Sequence, residues 1–233
     1  MFAALKRLLT GRAEPSPNHA RRRPSLGRLA FWRRAPRPVP ARLLRAGRPV
    51  QLPGDGHGPL FHRRYAVDFA GSRLGPEALM AQVKADLSDF SPRMLAHFEK
   101  TKGDPAELRE GDEYHITILG PWNGRVRVVE AQPTSFTFIT LEGHPEAGQI
   151  MFSLEHHPAR RGALRFEICS WARSRDMIVG LTYKEVGVGK EVQKNAWVTF
   201  CERVVEASGG KALGEVSVVT EEQRFDGEVI PIE

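Results

Sequence analysis

Residues 177–207, MIVGLTYKEVGVGKEVQKNAWVTFCERVVEA, decide the fold. Val188, Val192, Ala196, Phe200 and Val204 recur every fourth position, and Trp197, Cys201 and Val205 form a second row beside them. Residues four apart share a helix face, so this spacing predicts one long helix with a broad apolar stripe. Lys190, Glu191, Lys194, Glu202 and Glu206 fall mostly off the stripe. Gly209-Gly210 stops the helix, because glycine adopts the backbone angles that a helix C-terminus needs. A stripe this wide must be buried against other elements, and the preceding chain supplies them.

Between residues 112 and 172 the apolar period is two. Strands are predicted over 112–119 (Tyr114, Ile116, Ile118), 125–131, 135–141 (Phe136, Phe138), 149–155 (Ile150, Phe152, Leu154) and 163–172 (Leu164, Phe166, Ile168). Short turns part them, Asn123-Gly124 giving the strongest hairpin signal. Upstream, 62–70 reads as a strand with Tyr65, Val67 and Phe69 on one face. Pro76 to Leu87 reads as a helix, and Ser91 to Gly103 as a second short one. Residues 215–220 offer one more strand. The expected fold is α+β: a curved antiparallel sheet of six or seven strands, apolar on one face, gripping the C-terminal helix, with two short helices after the first strand.

This order of elements resembles the helix-grip superfamily of START-like, birch-pollen-allergen-like and polyketide-cyclase-like proteins. The segment Leu141-Glu142-Gly143-His144-Pro145-Glu146-Ala147-Gly148-Gln149 before an alternating strand, then Leu164-Arg165-Phe166-Glu167-Ile168 and Ser170-Trp171-Ala172-Arg173, is similar to the uncharacterised domain-of-unknown-function family numbered nineteen-ninety. Gln149 stands where that family commonly has an acid. The resemblance covers about residues 60–210 and implies the fold, with no activity attached.

Charge divides the chain. Residues 1–48 hold 13 basic residues and one acid, which leaves 21 basic and 27 acidic residues in 49–233. The overall +6 therefore belongs to the start of the chain, and a nucleic-acid surface on the folded part is disfavoured. Nine of the 17 prolines lie in the first 60 residues among arginines, so residues 1–56 are expected to be a disordered basic tail. The first reading of this tail is a dispensable segment or a start placed too far upstream, and the alternative is a contact for an anionic membrane or nucleic acid. Residues 57–210 form the expected helix-grip domain, and 211–233 a C-terminal extension. No apolar run approaches a membrane span or a signal segment, so a cytoplasmic protein is expected. Cys169 and Cys201 read as buried free thiols.

Catalytic and cofactor signatures are lacking. Gly187-Val188-Gly189-Lys190 fails as a phosphate loop, because Lys184 stands where the first Gly belongs and Glu191 where Ser or Thr belongs. Neither a metal nor a cofactor is expected. The first functional expectation is a module binding a small hydrophobic or lipid-like ligand between sheet and helix. Tyr114, Ile116, Phe136, Phe138, His144, Phe152, Phe166, Val192 and Phe200 are the expected lining. A cavity of at least ~300 Å³ would support it, and a filled interior would oppose it. The alternative is a cyclase- or dehydratase-like enzyme, with Tyr114 or His144 moving a proton.

Overall fold

In the computed structural model the first sheet strand, β1 (His57–Ala70), is also its longest, and the fold is built outward from it. The described residues are 35–91, 96–118, 123–175, 188–227, 229–230 and 232, with backbone alone at 96, 118 and 188–194. The chain divides into two compact units, Met1–Ala35 and Pro36–Glu233, and the sheet with its helices belongs wholly to the second.

A short helix, α1 (Ala41–Leu44), and a single 3-10 turn (Pro53–Asp55) precede β1. After it come α2 (Pro76–Ala85) and α3 (Leu87–Phe90). Pro76 opens α2, and the Asp86 carboxylate opens α3 by accepting from Ser88 N at 2.9 Å and Asp89 N at 3.1 Å. A meander follows: β2 (Ala96–Lys102), β3 (Glu113–Ile118), β4 (Gly124–Gln132), β5 (Ser135–Thr140), β6 (Glu146–His156) and β7 (Ala163–Ser174). The long helix α4 spans Val188–Ser208 and ends at Gly209, whose φ of +67° suits glycine. The expected start of this helix at 177 lies outside the described residues. β8 (Lys211–Ala212) and β9 (Ser217–Gln223) complete a nine-stranded sheet of order β2-β3-β4-β5-β6-β7-β1-β8, β9 also pairing with β1. Every strand pairing is antiparallel. The fold is a helix grip.

Nine strands exceed the expected six or seven, and β2 is the main reason. Met94, Leu95 and Phe98 have a helical spacing, yet Ala96–Lys102 pairs with β3, placing Phe98 opposite Ile116. Within the strand Phe98 is buried while its neighbours His97 and Glu99 are exposed, a period of two that the helical reading hid. Ser88 Oγ reinforces the choice, accepting from Phe98 N at 2.9 Å and donating to Phe98 O at 3.0 Å. Pairing with β3 satisfies backbone groups that a helix would have satisfied internally.

Inward from the sheet lies the main core. Phe200 of α4 stacks on Phe166 (5.8 Å between centroids) and meets Phe152 at 5.4 Å, while Phe136 stacks on Phe152 at 4.5 Å. The sheet is not apolar on one face only. All six residues of β5 are buried. Val129 and Ile139 pack outward against Val39, Leu43 and Ile230. Leu60, Met151, Cys169 and Trp171 pack outward with Phe225 and Val229.

Residues 36–56, expected in the disordered tail, thus form a strap on the outer face, and the C-terminal residues meet it through a parallel bridge between Val39 and Ile232. Its apolar residues are few, but buried polar side chains fasten its backbone. Gln149 accepts from Arg37 N at 2.8 Å and donates to Arg37 O at 2.9 Å. Arg127, wholly buried, donates to Leu43 O (2.6 Å) and Arg48 O (2.9 Å) while paired with Glu113 at 2.7 Å. These partners are distant in sequence, which is why composition alone assigned the strap to the tail.

Candidate functional site

The inner face of the sheet changes character along its length. One end is filled by aromatic rings. Toward the other, period two on β6 carries the face from Phe152 through Ile150 and Gly148 to Glu146, and on β7 from Ile168 to Ser170 and Ala172. A recess opens here between the sheet and α4, with Ala196 and Trp197 of the helix as its wall. Its volume is ≈ 70 Å³, and with the open mouth the empty space is ≈ 720 Å³. The inner volume is well below the ~300 Å³ expected of a ligand pocket.

Of the expected lining residues, Ile116, Phe138, His144 and Phe152 stand at the recess. Tyr114, Phe136, Phe166 and Phe200 are buried in the aromatic core behind it and do not line it. The side chain of Val192 lies outside those described. Tyr114 packs behind the lining, its ring 5.4 Å from that of Phe138, with the Lys100 ammonium 5.3 Å from its ring centre. Burial pushes its phenol above the ordinary value, and Lys100 pulls it partly back. Phe98, Glu146, Gly148, Ser170 and Trp197 line the recess and were missing from the expected set. Extending the alternation of β6 and β7 toward the turn would have found Glu146, Gly148 and Ser170.

The polar end is built around the turn 143–146. Gln51, from the strap, donates through Nε2 to His144 O and Glu146 O, both at 2.9 Å, and accepts from Gly143 N at 3.2 Å. Thr140 Oγ1 donates to Gln51 O at 2.9 Å and accepts from Gly148 N at 2.9 Å. Glu146 pairs with Arg63 at 3.0 Å. His144 is 8% exposed, and Glu146 N donates to its Nδ1 at 3.0 Å. Burial lowers the imidazole below its ordinary value; Glu146 opposes this and Arg175 adds to it. Its ring edge covers Gly124, where a Cβ would stand 2.0 Å from Cδ2.

Other polar groups of the sheet have structural partners. Arg165 forms a two-toothed pair with Asp68 (2.5 and 2.6 Å), its register partner across the strands. Glu167 is buried and accepts from Cys169 Sγ at 3.3 Å. Trp171 faces outward and stacks on His62 at 5.2 Å. Among the described residues no group of three His, Cys, Asp or Glu could hold a metal ion. Nor is any described helix long and apolar enough to cross a membrane.

The grip of sheet on helix and the His-Pro-Glu turn at the polar end of the recess coincide with a match to one family model, described as a domain of unknown function (DUF1990), over residues 50–203. The chain belongs to this family. Most of the strap and the last 30 residues lie outside the matched segment. No curated protein matches the chain. Among solved structures, norcoclaurine synthase from Thalictrum flavum is 12% identical, with 64% of this chain and 98% of that one covered and a TM-score of 0.43. A conserved protein from Geobacillus kaustophilus is 13% identical, with 64% and 98% covered and a TM-score of 0.41. A hypothetical protein from Helicobacter pylori is 11% identical, with 62% and 86% covered and a TM-score of 0.46. At such identities these likenesses speak for neither ligand nor activity.

Proposed function

We propose that this DUF1990 protein is a binding module for a compact, largely apolar small molecule that enters the recess between sheet and α4. The carrying observation is the asymmetry of the recess: its wall is Ile116, Phe138, Ile150, Phe152 and Trp197, and its polar groups gather at the end held by turn 143–146. Binding sites commonly combine apolar walls with a few fixed polar groups. A ligand anchored there would place its apolar body against Trp197 and leave its remainder in the mouth. Of the two residues the enzyme alternative names, His144 lines the recess and Tyr114 packs behind its lining.

The test is native mass spectrometry of residues 36–233 purified from its own host, followed by organic extraction. A reproducible added mass, lost on extraction and absent from a Trp197→Arg variant that remains folded by circular dichroism, is the expected result. No added mass, together with no chemical-shift change at Trp197 on adding small aromatic fragments, would overturn the reading.

A further inference from the structure

We propose that the recess recognises a hydrogen-bond acceptor, a carbonyl or ether oxygen on the ligand, through the Nε2–H of His144. This rests on the ligand-binding reading and names the chemistry of its polar contact.

The tautomer follows from the backbone. Nδ1 of His144 lies 3.0 Å from Glu146 N and 3.0 Å from Glu146 O. The hydrogen on Glu146 N is fixed by the peptide and is directed at Nδ1. A proton on Nδ1 would meet it head-on, so Nδ1 must accept, and the ring hydrogen must sit on Nε2. The Glu146 carbonyl does not need the ring as a donor, because Gln51 Nε2 already supplies one at 2.9 Å. Burial disfavours the doubly protonated ring, which would also break the Glu146 N–H contact.

Three other polar side chains at this end are already engaged. Thr140 Oγ1 serves Gln51 O, Gly148 O and Gly148 N. The Gln149 amide is closed on the backbone of Arg37. Glu146 is neutralised by Arg63. With Nδ1 accepting from Glu146 N, Nε2–H is the ring's free donor at the polar end of the recess, where the Ser170 hydroxyl and the Trp197 indole are the further donors among the described lining residues. His144 is more than nine-tenths buried, and a buried N–H needs a partner, which water supplies in the empty protein and an acceptor oxygen supplies in the complex. With the nearby carboxylate already paired, a cationic headgroup gains little here.

Two measurements on the full chain test this. Long-range ¹H–¹⁵N spectra of the histidine rings should show His144 with Nε2 protonated and Nδ1 bare; the reverse pattern would overturn the assignment. Cyclopentanone and methylcyclopentane then serve as matched probes with and without an acceptor. The ketone should bind more tightly, shift the Nε2 proton, and lose about tenfold in affinity in His144→Asn, whose Oδ1 still accepts from Glu146 N. Equal binding of both probes would overturn this inference and leave the ligand-binding reading standing. Binding of neither would overturn both.

Discussion

Replacing Arg127 by Met should loosen the strap from the sheet. The guanidinium makes four bonds: Nε and Nη2 to Glu113 Oε1 (3.1 and 2.7 Å), Nη1 to Leu43 O (2.6 Å) and Nη2 to Arg48 O (2.9 Å). Its side chain is wholly buried, and that of Glu113 is 12% exposed. Removing one partner of a buried pair costs about 3–5 kcal/mol, mostly because the other charge is left uncompensated. Lys102 lies 3.6 Å from the same Glu113 oxygen and can share the charge, which favours the lower end, about 3 kcal/mol. For a unit of this size that is a Tm lower by about 6–12 °C. Thermal unfolding followed by circular dichroism measures the total, and amide hydrogen exchange over 43–50 measures the local part. The double variant Arg127→Met with Glu113→Leu should recover much of the loss, because no unpaired charge remains. A single variant within about 2 °C of the parent, with strap amides equally protected, would refute the view that Arg127 holds the strap.

Gly124→Ala forces a Cβ to within 2.0 Å of His144 Cδ2, so it should cost about 1–3 kcal/mol and displace the His144 ring signals in NMR spectra. His62 and His144 are both lowered from the ordinary 6.5, chiefly by burial, so the unfolded chain binds more protons than the folded one below that value. Stability should be full above pH 6.5 and fall as the pH drops, and His62→Gln should flatten the slope of urea midpoint against pH. Cys169 and Cys201 are fully buried and burial pushes the Cys201 thiol up, so a thiol reagent should label neither until urea unfolds the protein. Deleting residues 1–34, which carry nine of the 13 basic residues in 1–48, should abolish sedimentation with anionic liposomes at low salt; equal sedimentation would remove the tail from membrane contact.

The sequence by itself determined the inner half of this molecule. Helical spacing from Val188 to Val205 and alternation along β3 to β7 are local signals, written wherever one face of an element must be dry. They implied the grip, and with the Gly-His-Pro-Glu turn they implied the family. Only the tertiary structure decided the rest. β2 became a strand because β3 offered a partner edge, a choice that the helical spacing of Met94, Leu95 and Phe98 concealed. The strap became ordered because Arg127 and Gln149, up to 112 residues from their partners, satisfy its backbone, and its own Gln51 binds the distant turn 143–146. The recess was set by packing volumes, which periodicity does not encode: four expected lining residues reached it, and four more merged into the core. The role of His144 likewise rests on which way one backbone N–H points, a matter of three-dimensional geometry that no residue type records.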